Sequence, residues 1–489
     1  MNNILVNELT SAFNEPVNKT LTENGAIARA TTNSKVLDLF SQIGGFRVGG
    51  ASEDKIIKQV RAAFAEDREL TLRTLFYSRD IRGGQGERQV FRTAIKALAQ
   101  FSPDTINKVI PLIPEYGRWD DLYELLGTEC EQTVWDTIRA QWWGDLISEY
   151  PSIMAKWLAG VNTSSALTRE RGRATARALG FSERNYRKLL SELRARIGII
   201  EQKMSSGNWG DIEYSHVPSQ ANMLYKDAFY KHDPVRRQAY LDSLVKGEVK
   251  VNAVTQFPYE LIAKLRNSGD NTLIEAMWEA QPDYFNGKKE NSLVVADVSS
   301  SMYGLPLEVC ISLAIYTAER NTGPWHNKFI TFSESPTMQT LIGKTLLEKV
   351  SNLNNARWDL NTNVEKVFTT ILETAILNNV SPSEMVARVY IVSDMEFDAA
   401  SGRNKKDRTL FNWLQKKYKD AGYNMPELVF WNVSARNTQF PMSMDDRGFL
   451  NVSGCSPSIF KSVVGKNFIS AYDLMLEVIN SDRYKDIKV

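Results

Sequence analysis

Four short apolar runs in the C-terminal part of the chain constrain its fold more than any other feature. They are "LVVA" at 293–296, "KFITFS" at 328–333, "ARVYIVSD" at 387–394 and "ELVFWNVS" at 427–434. Each is too continuously apolar to keep one face in water, so each reads as a strand covered on both sides. Between them the apolar residues recur at three and four. In 364–377, for example, Val364, Val367, Phe368, Ile371, Leu372 and Ala375 share one helical face. Helices are therefore expected near 305–320, 345–352, 364–377, 407–420, 457–463 and 468–480. Doubly covered strands alternating with helices make a doubly wound, mainly parallel sheet, whose ligand site lies outside the carboxyl ends of its strands.

Upstream the texture is helical from about residue 35 to 285. Ile57, Val60, Ala63 and Phe64, then Val90, Ala94, Ala97 and Leu98, follow helical spacing. The breakers "RGGQGE", "PLIPEYG", "EYPS" and "GNWGD" fall between such segments. This rhythm predicts a helical-repeat array without a strict sequence period. The polar stretch "QPDYFNGKKENS" at 281–292 marks the junction. Three parts are expected: an N-terminal arm over 1–34, a helical domain over 35–285 and an α/β domain over 286–489.

Composition narrows the function classes. A net charge of +1 excludes a globally basic nucleic-acid coat but leaves room for a local basic face. Three scattered cysteines and three histidines give no zinc-ligand spacing, and they fit a reducing compartment. No apolar run is long enough for a membrane span, and "MNNILVNELTSAFNE" lacks the pattern of a secretory signal. A cytoplasmic protein is expected, with neither a membrane nor DNA as partner.

At the end of the first strand, "DVSSS" places Asp297, Ser299 and Ser301 at alternate positions, so their side chains can converge on one side. Thr362 lies in the loop "RWDLNTNVEKVF" before a helix, and Asp394 ends "VYIVSD". Two carboxylates with three hydroxyls form a hard oxygen set suited to Mg²⁺, Mn²⁺ or Ca²⁺. The bland alternative is a polar turn in which a serine caps the next helix. This constellation resembles the von Willebrand factor A (vWA) domain and its metal-ion-dependent adhesion site, whose pattern is DxSxS, a threonine in a second loop and an aspartate after a later strand. The threonine loop of that family often begins Gly-Gly-Thr, where this chain has Leu-Asn-Thr. The resemblance implies one divalent cation held by Asp297, Ser299, Ser301, Thr362 and Asp394, with a coordination position left for a carboxylate from a protein ligand.

The helical part carries a second resemblance. "LFYSRDIRGGQGER", "IPEYGRWDDLYELL", "LGFSERNYRKLLSELRARIGIIEQKMSSGNWGDIEYSHVPSQA" and "FYKHDPVRRQAYLDSLVKG" look like an uncharacterised helical-plus-vWA family of plants, large DNA viruses and phages. That family is similar in turn to the TROVE module of the Ro autoantigen. The resemblance implies a TROVE-like, HEAT-like helical-repeat domain followed by a Rossmann-like vWA domain, and binding of single-stranded or structured RNA. Between 169 and 196 nine basic residues face three acidic ones. Arginine's planar fork suits phosphate, and a candidate contact set is Arg169, Arg173, Arg177, Arg184, Arg187 and Lys188, with Tyr186 as a stacking plane for an unpaired base. The alternative is a solvated helix pair tied by internal salt bridges. Trp142, Trp143 and Trp157 read as core.

Enzymatic motifs are not met. A serine-hydrolase elbow needs Gly-x-Ser-x-Gly and a usable histidine, and Ser299 and Ser301 lack that frame. "LIGKT" at 341–345 has Met338 where a phosphate-binding loop needs its first glycine. "RGGQGER" lacks the Gly-Lys-Ser/Thr ending and reads as a flexible turn or an anion-binding nest. The chain is expected to be non-enzymatic: an RNA-binding protein with a metal-dependent docking site, or an assembly scaffold that uses the α/β domain alone.

Overall fold

The structure is a computed structural model, and it describes residues 18–21, 27–251, 253, 256–265, 271–285, 287, 291–297, 300–331, 336–355, 364–395, 407–435, 440, 449–457, 459–464 and 470–489. The chain divides into two compact units, one of residues 1–67 with 257–481 and the other of 68–256 with 482–489.

The first unit begins with a small antiparallel pair, β1 (Lys19–Leu21) and β2 (Ile27–Arg29). Its main sheet contains β3 (Ser292–Ala296), β4 (Lys328–Thr331), β5 (Met338–Thr340), β6 (Arg388–Ser393), β7 (Glu427–Asn432) and β8 (Phe449–Ser453). The order is β5-β4-β3-β6-β7-β8, parallel throughout except for β5, which runs antiparallel on the edge. The central strands β3 and β6 are buried at every position, as the apolar runs 293–296 and 389–392 within them require. The crossover helix Leu305–Arg320 packs on β3 along one side and on the helix Pro258–Leu265 along another, which is why it is apolar nearly all round.

The expected domain boundaries do not match these units. Residues 35–66 pack with the α/β sheet, not with the helical array, because the helix Lys35–Ile43 covers the β8 edge. Ser453 Oγ donates to the Phe40 carbonyl at 3.1 Å, and the Gly44 N–H donates to Ser453 Oγ at 3.1 Å. A Cβ on Gly44 would lie 2.6 Å from the Gly454 Cα, so only glycine lets the chain approach this edge. Nor are residues 18–34 a plain arm. They hold the β1–β2 pair, and the Thr31 and Thr32 hydroxyls donate to Asp38 at 2.5 and 2.7 Å.

The second unit is helical, built from helices including Arg68–Arg79, Arg88–Phe101, Glu131–Ile147, Ala166–Ala178, Glu183–Arg196 and Pro234–Val245. Residues 482–489 belong to it as well. Arg483 donates to both Asp80 oxygens at 2.9 and 3.2 Å, and the Tyr484 hydroxyl donates to Asp80 at 3.2 Å. The "RGGQGER" turn is neither loose nor a nest: the N–H groups of Gly84, Gln85, Gly86 and Glu87 are bonded to carbonyls of Tyr77, Ser78 and Asp80. At Gly84 a Cβ would meet the Tyr77 carbonyl oxygen at 1.9 Å, a clash that fixes the residue type. Among the described residues no helix is long and apolar enough to cross a membrane.

All three cysteines are buried thiols outside any disulfide. Burial raises the thiol pKa of Cys130, and at Cys310 burial and the neighbouring Asp297 charge both act in that direction. An aromatic disulfide reagent should therefore find essentially no reactive thiol in the folded protein and three after denaturation. Rapid reaction of even one native thiol would contradict the packing around it.

Candidate functional site

In the α/β unit, the chain leaves β3 through the helix Leu305–Arg320 and returns as β4 on one side. It leaves β6 through the helix Asp407–Asp420 and returns as β7 on the other side. The connections diverge between β3 and β6, and in doubly wound sheets a ligand site lies at such a point, outside the carboxyl ends of the strands. Asp297 is the first residue after β3 and Asp394 the first after β6; they are 6% and 3% exposed.

Parallel register sets the local geometry. Ala296 pairs with Val392, so Asp297 comes next to Ser393, and the Asp297 N–H donates to the Val392 carbonyl at 3.3 Å. The buried Ser393 hydroxyl donates to Asp297 Oδ2 at 2.6 Å and accepts from the Met395 N–H at 3.1 Å. Met395 has φ of +65°, an uncommon value for a non-glycine residue, so the chain bends at Met395, directly after Asp394. One hydroxyl thus fixes the rotation of the first carboxylate and braces the turn that presents the second. Beneath them, the Cys310 thiol donates to the Val392 carbonyl at 3.6 Å.

Of the five residues expected to hold a cation, Asp297, Ser301 and Asp394 are described, with Ser301 half-buried in the 3-10 turn Ser300–Met302. Ser299 and Thr362 lie outside the described residues. The two carboxylates fall on neighbouring strand ends, and an oxygen donor set with only two acids suits a hard divalent cation. Among the described residues no three His, Cys, Asp or Glu side chains gather as a metal site. Ser393 is the residue at this candidate site that sequence reasoning missed. Its place beside Asp297 follows from the parallel register of β3 and β6, in which residue 393 falls opposite 297, and no local sequence pattern records that register.

"LIGKT" has a different role. Thr345 caps the helix Leu346–Asn354, and Glu348 accepts from the Lys344 and Thr345 N–H groups at 2.6 and 3.2 Å. The amides that a phosphate would need are committed to that capping box.

In the helical unit, the basic residues of 169–196 separate into two groups. Arg169 donates to the Thr163 and Ser164 carbonyls, Arg194 to those of Ala155 and Leu158, and Arg196 to those of Asp145, Leu146 and Ser148. These side chains staple loops, so Arg169 is spent on the fold and not on a ligand. Arg173 makes an exposed ion pair with Glu183 at 3.2 Å. Arg177, Arg184, Arg187 and Lys188 are exposed, and among the described residues none of them has an ion-pair partner.

Tyr186 must be corrected. It is fully buried, its hydroxyl donates to the Ala159 carbonyl at 2.9 Å, and its ring stacks on Trp142 at 5.6 Å. Tyr186, Leu190 and Leu193 form the core stripe of the helix Glu183–Arg196, so the ring presents no face to a base. The tryptophans divide as well. Trp142 is core, Trp157 is half-buried beneath the Arg118 guanidinium at 4.2 Å, and Trp143 is 49% exposed.

Residues 22–141 and 151–298 match the family model described as domain of unknown function DUF2828, and residues 291–486 match that described as domain of unknown function DUF7788. The two matches meet at the start of β3. An uncharacterized protein of Acanthamoeba polyphaga mimivirus is 29% identical to the chain over 513 aligned residues, covering 94% of this chain and 87% of the relative.

Proposed function

Because the chain belongs to the DUF2828 family, whose description assigns no activity, we propose a role from its residues: a non-enzymatic, Ro-like RNA-binding protein whose α/β unit is a vWA-like module using one divalent cation as a docking point. The observation that carries the cation half is the pair of buried carboxylates, Asp297 and Asp394, at neighbouring strand ends flanking the switch point. Two buried carboxylates on neighbouring strand ends offer hard oxygen donors of the kind a divalent cation takes. Asp297, Ser299, Ser301, Thr362 and Asp394 would hold Mg²⁺ or Mn²⁺, and the ion would supply a Lewis-acidic position for a carboxylate from a protein partner. Ser393 keeps the Asp297 carboxylate in one orientation, so the donor set is preorganised.

Titration calorimetry with MgCl₂ or MnCl₂ tests the site. The wild-type protein should bind one equivalent. Asp297→Ala and Asp394→Ala should each abolish that binding while leaving the far-ultraviolet spectrum unchanged. Ser393→Ala should weaken it by about 10- to 100-fold, the usual loss when a carboxylate ligand loses its supporting hydrogen bond. Undiminished binding in both aspartate variants removes the assignment.

The RNA half is favoured by the exposed quartet Arg177, Arg184, Arg187 and Lys188, which the fold leaves without ion pairs among the described residues. Such cations suit a phosphate backbone.

A further inference from the structure

The helix Glu131–Ile147 buries Val134, Trp135, Ile138 and Trp142 and carries Arg139, Trp143 and Ile147 at successive four-residue steps on another face. Two contacts place that face against the basic helices. Arg139 donates to the Ala178 carbonyl at 2.9 Å, next to Arg177, while Arg196 donates to the Asp145 and Leu146 carbonyls at 3.3 and 3.2 Å. The Trp143 ring lies 5.9 Å from that of Phe181, in the turn between Arg177 and Arg184. Trp143 is 49% exposed, Ile147 89% and Tyr150 84%, a large amount of apolar surface for one short stretch of a water-facing helix end.

We propose that Trp143 is the position on which an unpaired RNA base stacks, in the place that sequence spacing gave to Tyr186. The inference rests on the RNA reading above and makes it specific for single strands. An indole plane stacks any base, and a duplex offers none to it. Phe181 supports the indole from behind, and the exposed arginines on both sides of the turn provide the positive field that a backbone following the stacked base requires. Charge complementarity selects RNA over an apolar protein segment, because the aromatic patch borders unpaired cations.

Binding of a single-stranded oligouridylate and of a duplex RNA of equal length, measured by fluorescence anisotropy on the full chain, tests this. Trp143→Ala should lose about 5- to 150-fold in affinity for the single strand, the range for removing one stacked base. Trp143→Phe should retain binding to within a few-fold, and neither variant should change duplex affinity by more than about twofold. Equal melting temperatures for the three proteins exclude a structural cause. If Trp143→Ala binds the single strand like wild type while an arginine variant has lost it, the stacking position is wrong and the RNA reading stands. If the wild-type protein binds neither RNA, the reading beneath it fails.

Discussion

Replacing Asp121 by Ala should lower the thermal unfolding of the helical unit by about 6–20 °C, followed by far-ultraviolet circular dichroism. Asp121 is fully buried and accepts from three donors: Arg79 Nε at 2.8 Å, Arg92 Nε at 2.6 Å and the Arg118 N–H at 2.9 Å. Arg79 is itself 3% exposed, and Asp121 is its ion-pair partner among the described residues, so removing Asp121 leaves its charge buried without that carboxylate. Removing one member of a buried pair costs about 3–5 kcal/mol, because the remaining charge stays desolvated. In a unit of this size each kcal/mol moves the midpoint by about 2–4 °C. Asp120→Ala is the matched control. Asp120 is 25% exposed and among the described residues its ion pair is with Arg92, which keeps Asp121 and Glu124, so its loss should cost about 1 kcal/mol or less. Equal shifts in the two variants, or a shift under about 2 °C for Asp121→Ala, would show that the buried network does not hold these helices together.

The same network shows what a sequence can and cannot reveal. The strands β3, β4, β6 and β7 were legible because their apolar runs need no partner to be recognised, and the helices between them follow from spacing alone. The strand β8 was not. Its Asn451 and Ser453 are 2% and 3% exposed, and a buried polar pair interrupts the apolar signal. Ser453 makes sense only beside the helix Lys35–Ile43, more than four hundred positions away, where it bonds Phe40 and Gly44. The division into compact units was not legible for the same reason: residues 35–66 and 482–489 close onto elements remote in sequence, and no local window records that.

At the candidate sites, Asp297 and Asp394 were legible because strand ends can be located and a sheet's carboxyl edge is where ligands gather. Ser393 needed the register of two strands. Tyr186 was misplaced because a count of basic residues does not fix the phase of a helix. The buried stripe runs through positions 186, 190 and 193, and a tyrosine in that stripe is core whatever surrounds it.

That phase also identifies which cations are free to act. Arg177, Arg184, Arg187 and Lys188 lie off the buried stripes of their helices, and all are exposed. Replacing all four by Gln removes up to four phosphate contacts without opening a cavity. Single-strand binding loses about 0.7 unit of log–log salt slope per contact, so the slope should become shallower by roughly 2–3 units. Affinity should fall most at low salt, where counterion release contributes most. Exposed substitutions of this kind change stability by about 0.5 kcal/mol or less each, so the variant should remain folded. Asp297→Ala should leave RNA affinity unchanged, since in the proposed reading its carboxylate holds the cation and contacts no phosphate. Filter binding across a salt series separates the two roles. If the quadruple variant keeps the wild-type slope, the basic face only solvates the helices. The protein is then an assembly scaffold acting through the α/β unit, and Asp297→Ala should abolish capture of carboxylate-bearing partners instead.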